Sequence, residues 1–301
     1  MYKILLIYVP KRNTPFKEAI SSEMLLQIKD ILSKIGYIVF LHKYIPNQIG
    51  SLIKEIDPDV IFNMAYGYVY SSENTFESQV DVLERIEASR PRAILGSCST
   101  TQRLVQDKLL CSEFLLKKGF KVPHHYTLGD FEDFKDNHYL VVKPRFGACH
   151  RNIRLMKPIQ VKNIDNNKHL LIQNYIDGPE FTVAVVTVKG KAKAFLPLEI
   201  LFDKTETKNV LGLNKKDCSW RIDSNDSYKL RFLAEQIFEI LNLKHYARID
   251  FRISDIGPVC IDVNPLPNLD SKRSFLPAIA NLSGISYENL IKMLIDAVIH
   301  G

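Results

Sequence analysis

A chain of 301 residues, 46% hydrophobic and 25% charged, is long enough for two domains with sizeable cores and excludes a peptide module or a low-complexity tract. Lys plus Arg number 40 against 34 Asp plus Glu, and a net charge of +6 over this length is too small to point to nucleic acid as partner. No apolar run approaches the roughly 18 residues of a membrane helix, and the apolar start is too short for a signal peptide, so a cytoplasmic protein with no membrane partner is expected.

The first third alternates strand and helix signals. An apolar run from Ile4 to Val9 precedes an amphipathic helix from Ser22 to Ile35, a strand from Tyr37 to Leu41 and another from Val60 to Phe62. This βαβ pattern predicts a parallel sheet covered by helices. A helix is predicted over Phe76 to Ala88, with Val80, Leu83 and Ile86 on one face, then a short strand from Ala93 to Leu95. One helix from Thr101 to Lys118, closed by Gly119, follows. The segments Tyr139 to Lys143, Leu170 to Tyr175, Phe181 to Val188 and Lys193 to Ile200 are rich in β-branched and aromatic residues and predict antiparallel sheet. Two helices remain, Tyr228 to Leu241 and Tyr287 to Ile299. Between them lie the strands Tyr246 to Ile253 and Val259 to Val263, joined by a turn at Ser254 to Gly257. The five cysteines, Cys98, Cys111, Cys149, Cys218 and Cys260, form no CxxC pair and read as reduced thiols.

Arg248 and Asp250 lie two apart on one predicted strand, and Asp262 and Asn264 repeat that spacing on its hairpin partner, so the four share a face. Two carboxylates with an amide oxygen suit a hard cation such as Mg²⁺ completed by substrate phosphates. The alternative is a buried ion pair of Arg248 with Asp250 or Asp262. Lys143 ends an apolar strand, either as a point charge for a phosphate or as an exposed strand-end lysine. Lys108, beside Asp107, reads by position alone as a solvated residue in the middle of a helix. Gln173-Asn174-Tyr175-Ile176 before Gly178-Pro179-Glu180 reads as strand and turn, with a backbone edge that suits an adenine ring covered by Ile176.

Taken in order, Phe62-Asn63, Asp107-Lys108, Val142-Lys143-Pro144, Gly178-Pro179-Glu180-Phe181-Thr182-Val183, Ala247-Arg248-Ile249-Asp250, Asp262-Val263-Asn264 and Ser283-Gly284-Ile285-Ser286-Tyr287 resemble the ATP-grasp superfamily and, within it, the D-alanine:D-alanine ligase family. The resemblance spans most of the chain. It implies an α/β and α+β protein, with an N-terminal parallel βαβ domain over residues 1–96 followed by an ATP-grasp fold of two α+β subdomains, 97–176 and 177–301, the second carrying the metal site. It also implies an ATP-dependent ligase that joins two amino-acid-type substrates through an acyl phosphate and releases ADP and phosphate. Lys108 and Lys143 would hold the ATP phosphates, together with Gly147 and Cys149 of the following loop. Gln173, Tyr175 and Ile176 would line the adenine pocket, and Glu180 would bind ribose hydroxyls. Asp250, Asp262 and Asn264 would carry Mg²⁺ or Mn²⁺, two ions in the family pattern. Arg248 would stabilise the transferring phosphoryl group, Lys208 would reach the γ-phosphate from a loop, and the segment from Arg145 to Asn152 would close over the site. A homodimer is compatible with the resemblance.

The chain departs from that pattern at identifiable places. The family's Gly-Ser-Ser phosphate loop reads Gly147-Ala148-Cys149-His150-Arg151-Asn152, where the charge of Arg151 would compensate for lost hydroxyls. Tyr66 stands where the family has histidine near the first substrate, and Ser71-Ser72-Glu73-Asn74 replaces an acidic glycine turn. Asn268 replaces a glycine whose backbone helps hold the oxyanion, Ser274 matches the serine that binds the acceptor carboxylate, and Glu18 is a candidate amine contact. The expectation is a ligase whose substrate differs from D-alanine. The alternatives are an authentic D-alanine:D-alanine ligase and a nucleotide-binding protein without turnover.

Overall fold

The computed structural model describes residues 1–10, 13–14, 21–70, 76–127, 139–146, 153–162, 164, 169–202, 218–222 and 226–301. Its N-terminal part runs β1 (Lys3–Tyr8), α1 (Ser22–Lys34), β2 (Ile38–Lys43), α2 (Ile49–Ile56), β3 (Val60–Met64), β4 (Tyr68–Val69), β5 (Phe76–Glu77), α3 (Gln79–Glu87) and β6 (Ile94–Leu95). Four of these strands form a parallel sheet in the order β2-β1-β3-β6. The continuous apolar run of β1 makes it a central strand, since Ile4 to Ile7 are fully buried on both faces. Ser21 caps α1 by accepting from the Met24 N–H, and Met24, Leu25, Ile28, Ile31 and Leu32 form its buried stripe.

The middle of the chain contributes α4 (Ser99–Gln106), α5 (Lys108–Lys117), β7 (His125–Tyr126), β8 (Leu140–Pro144), β9 (Arg154–Met156), α6 (Pro158–Val161) and β10 (Leu170–Asn174). Its sheet is antiparallel, in the order β7-β10-β8-β9. The last part contains β11 (Glu180–Val188), β12 (Lys191–Ala194), β13 (Leu198–Phe202), β14 (Cys218–Ile222), α7 (Ser227–Ile240), β15 (Tyr246–Ser254), β16 (Gly257–Asn264), α8 (Phe275–Leu282) and α9 (Tyr287–Ile299). Here the antiparallel order is β14-β13-β11-β15-β16, with β12 also paired to β11. The final helices pack back on the N-terminal sheet: α9 touches α1 and β6, and Leu290, Leu294 and Ile295 share one buried cluster with Ile4, Leu6 and Phe62. Among the described residues no helix is long and apolar enough to cross a membrane.

Four sequence expectations are corrected. The helix predicted from Thr101 to Lys118 is two helices, because Asp107 is extended (φ −80°, ψ 94°) and its side chain caps α5. Lys108 is therefore the first residue of a helix, and not a mid-helix residue. The strand predicted from Lys193 to Ile200 is split: β12 pairs with Val185–Val188 and β13 with Glu180–Thr182, and Pro197, which has no N–H, lies in the step between them. The helix predicted from Phe76 begins at Gln79, where Ser78 and Asp81 form a capping box, while Phe76 and Glu77 pair with β4. A third C-terminal helix, α8, was hidden by Pro277 in its first turn, where the missing N–H costs nothing. The short helix α2 is a further addition to the expected elements, with Ile49, Ile53 and Ile56 as its buried stripe at helical spacing.

Candidate active site

Three strands of the last sheet present one polar face. Residues 248, 250 and 252 of β15 point the same way; Ala184, Thr182 and Glu180 of β11 stand directly opposite on one side, and Asn264 and Asp262 of β16 oppose Arg248 and Asp250 on the other. Asp250 is buried and doubly held by Arg248, with Nε donating to Oδ1 at 3.0 Å and Nη2 to Oδ2 at 2.8 Å, while Thr182 Oγ1 donates to Oδ1 at 2.7 Å. The ion-pair alternative for Arg248 is thus present. Arg248 also lies over the Phe275 ring, 5.0 Å from its centroid.

A cleft opens between this face and the middle sheet. Its lining includes eight of the residues singled out in the sequence: Lys108, Lys143, Gln173, Tyr175, Ile176, Glu180, Asp250 and Asp262. Lys108 Nζ is 3.3 Å from Asp262 Oδ1. Lys143 is buried, against the strand-end alternative, and donates to the Ile261 carbonyl at 3.1 Å across the cleft. Burial pushes its ammonium pKa down, and Asp262 only partly opposes this.

At the other end of the cleft Gln173 Nε2 meets His125 Nε2 at 2.9 Å, so the amide donates to a neutral imidazole. Burial, with repulsion from Lys143, lowers the His125 pKa to about 4. The chain then turns at Gly178, where φ is +134° and a Cβ would lie 1.9 Å from the Ile253 carbonyl oxygen. Only glycine lets this turn press so closely on β15. Among the described residues the Ile176 N–H donates to no protein acceptor, and so remains available to a ligand edge.

The substrate-side candidates lie apart from this cleft. Ser274 Oγ donates to Asn268 Oδ1 at 2.8 Å, and Asn268 Oδ1 also accepts from the Asp270 N–H at 2.7 Å. Asn268 is not among the residues with positive φ, so asparagine is accommodated there without left-handed backbone. Asn264 Oδ1 accepts from the Leu266 N–H at 3.1 Å. Tyr66 is buried in the cluster that contains Leu266, Leu269 and Leu276. Lys208, Gly147, Cys149, Arg151 and Glu18 lie outside the described residues, as does most of the proposed closing segment.

Sequence reasoning missed Arg252, Thr182 and His125. Arg252 continues the alternation of Arg248 and Asp250 by one further step, a signal that was available. Thr182 likewise stands two residues from Glu180 on one strand, the same signal, whereas His125 carries none, because only pairing of distant strands brings it to the site.

A family model described as an ATP-grasp domain matches residues 105–268, just over half of the chain. The chain belongs to the ATP-grasp family. The ATP-grasp segment accordingly begins within α4 and ends just beyond the β15–β16 hairpin that carries Asp250 and Asp262. Beyond that segment, the chain is 24% identical over 287 residues to a D-alanine–D-alanine ligase of Fervidobacterium nodosum, covering 82% of this chain and 89% of the relative. It is 25% identical to that of Halalkalibacterium halodurans, covering 89% and 91%. Its fold matches the D-alanine–D-alanine ligase of Bacillus anthracis complexed with ATP, with a TM-score of 0.71 at 20% identity over 98% of this chain and 96% of that one. A D-Ala:D-Ser ligase of Enterococcus faecalis matches with a TM-score of 0.70 at 16% identity, covering 98% and 99%. These relatives place the chain among the D-alanine:D-alanine ligase-like ATP-grasp proteins.

Proposed function

We propose that this ATP-dependent carbon–nitrogen ligase joins the carboxylate of one amino-acid-type substrate to the amine of another. The observation that carries the reading is Lys143, a buried ammonium with one protein acceptor among the described residues, at the wall of a cleft it shares with Lys108 and the carboxylates of Glu180, Asp250 and Asp262. A buried cation with unused donors is costly unless an anion arrives, and a triphosphate supplies one. Lys108 and Lys143 would hold the phosphates, the Ile176 N–H would meet the adenine edge, and Glu180 would accept from ribose hydroxyls. A substrate carboxylate oxygen attacks the γ-phosphorus as the bond to ADP breaks. The amine of the second substrate then attacks the acyl carbon, loses its proton, and expels phosphate. Arg248, held in place by Asp250, would face the charge on the phosphoryl group and on the tetrahedral centre.

Two carboxylates in cross-strand register and one amide fit Mg²⁺ or Mn²⁺, because too few protein ligands are present for a closed site and the ion keeps oxygens from water and phosphate. Among the described residues no three His, Cys, Asp or Glu side chains cluster as a metal site. Asp250, Asp262 and Asn264 would hold the metal, which when bound would neutralise charge on the phosphates. The proposed setting is the cytoplasm, where free thiols such as those of Cys98, Cys111 and Cys260 persist.

The test is ADP release with ATP and a panel of L- and D-amino-acid pairs, with and without excess chelator, and with products identified by mass spectrometry. Metal-dependent release with an amide product is expected. Binding of ATP without ADP release under any pair would leave the fold intact and refute the ligase reading.

A further inference from the structure

Arg252 lines the same cleft as Tyr175, Ile176 and Glu180. It is 4% exposed, stands directly opposite Glu180 in the β11–β15 pairing, and touches Glu180, Ile176 and Tyr175. Its Nε and Nη2 donate to Glu180 Oε2 at 3.0 and 2.8 Å; its Nη1 donates to the Ile176 carbonyl at 2.9 Å; its guanidinium lies over the Tyr175 ring, 4.8 Å from the centroid.

These contacts divide the ligand-facing groups in a particular way. Arg252 takes the Ile176 carbonyl, while among the described residues the N–H of the same residue has no protein acceptor, so the hinge offers a donor and not an acceptor at that point. It likewise engages one oxygen of Glu180, while Oε1 makes no hydrogen bond among the described residues and remains on the cleft side. Burial raises the Glu180 pKa, and the charge and hydrogen bonds of Arg252 oppose that rise in part, favouring the ionised carboxylate that accepts over the protonated form whose hydroxyl donates.

Resting on the nucleotide reading above, we propose that Arg252 is a positioning and specificity residue: it fixes Glu180 as an acceptor for ribose hydroxyls and ties the sugar contact to the hinge that meets the base. The guanidinium does this through another side chain and touches no reacting atom. Its planar fork is required, since a lysine ammonium cannot serve Glu180 twice and the Ile176 carbonyl in one plane. The effect should fall on the nucleotide, through its ribose hydroxyls, and not on the amino-acid substrates.

The experiment measures KM and kcat for ATP, 2′-deoxy-ATP and 3′-deoxy-ATP in wild type, Arg252→Met, Arg252→Lys, Glu180→Gln and the double variant Glu180→Gln/Arg252→Met. Loss of a charge-assisted hydrogen bond corresponds to a roughly tenfold to hundredfold rise in KM for ATP in Arg252→Met, with kcat within about threefold of wild type. The preference for ATP over a deoxynucleotide should collapse toward unity in Arg252→Met and in Glu180→Gln, persist in part in Arg252→Lys, and fall no further in the double variant. Arg252→Lys keeps the charge and guards against a variant that fails to fold. A preference for ribose unchanged in Arg252→Lys and Arg252→Met, or effects of the two sites that simply add, would overturn the proposal. Wild-type enzyme that turns over ATP and deoxy-ATP equally would overturn it through Glu180 while leaving the ligase reading standing; wild type that binds no ATP would overturn the ligase reading itself.

Discussion

The Asp107 carboxylate receives Nε and Nη2 of Arg145 at 2.7 and 2.8 Å, and its Oδ1 also accepts from the Leu110 N–H, 3.2 Å away in the first turn of α5. One side chain thus ends α4, starts α5 at Lys108, and anchors the chain just after Lys143. The Lys108 N–H, an orphan donor of the helix start, is taken by the Arg145 carbonyl at 3.1 Å. The two phosphate-directed lysines are therefore tied together by a contact that involves neither ammonium.

Replacing Asp107 should separate the cap from the ion pair. Asp107→Asn keeps an acceptor for the Leu110 N–H and loses the charge on Arg145, whereas Asp107→Ala loses both. Urea denaturation should show Asp107→Ala destabilised by about 1 to 3 kcal/mol and Asp107→Asn by less. Both should weaken ATP binding, measured by calorimetry, because Lys108 loses its fixed starting point. Equal stability of the two variants would show that the cap contributes nothing.

Lys143 should trade stability for function. Its ammonium is desolvated, with Asp262 as a partial counter-charge, so Lys143→Met removes a buried charge while keeping much of the side-chain volume. The melting temperature of the nucleotide-free variant should equal or exceed that of wild type, while its affinity for ATP falls at least about tenfold. A large loss of stability with ATP affinity intact would mean that Lys143 serves the fold and not a phosphate.

Much of this arrangement was legible in the sequence because strand periodicity is local. The two-residue spacing of Arg248 and Asp250, repeated by Asp262 and Asn264, puts each pair on one face of its own strand, but a register shift between Asp250 and Phe251, with Ile261 as the extra residue, is what brings Asp250 opposite Asp262 and the two pairs onto one hairpin face. Lys108 is the contrary case. A run of helix-forming residues from Thr101 to Lys118 contains no glycine or proline before its end, and the break at Asp107 arises from a bidentate contact with Arg145, 38 residues away. The burial of Lys143 likewise depends on the Ile261 carbonyl of another sheet, 118 residues on, and no pattern near Lys143 encodes it.

Acid should weaken the fold through His125 beside the cleft and His245 beside Gly96. The pKa of His125 is lowered to about 4, and that of His245, whose Nδ1 accepts from the Gly96 N–H at 2.9 Å, is also lowered by burial. Between the ordinary value near 6.5 and the folded value the unfolded chain binds protons that the folded chain refuses. Stability is therefore complete above about pH 6.5 and declines as pH falls toward about 4. Melting temperatures across this range should show the decline, and His125→Gln should flatten part of it. A variant with an unchanged slope would assign the acid sensitivity to other groups.

Substrate choice is the remaining consequence of Tyr66. This residue stands where the resemblance expects histidine, and it is buried in the cluster containing Leu266, Leu269 and Leu276, which flank Asn268 and Ser274 in the chain. A phenol is neutral at pH 7, offers one hydroxyl in place of two ring nitrogens, and occupies more volume, so the hydrogen-bond pattern near the first substrate should differ from that of a histidine-bearing pocket. A mismatched buried polar group costs on the order of 1 to 3 kcal/mol, which predicts a kcat/KM for D-alanine alone that is roughly tenfold to hundredfold below that of the preferred pair. The fold itself does not dictate the acceptor, since its structural neighbours include both D-Ala–D-Ala and D-Ala:D-Ser ligases. Steady-state ADP release with D-alanine alone, set against mixed L- and D-amino-acid pairs, measures the difference directly. Efficient D-alanyl-D-alanine formation, with no better pair in the panel, would show that tyrosine replaces histidine without consequence and that the enzyme is a D-alanine:D-alanine ligase.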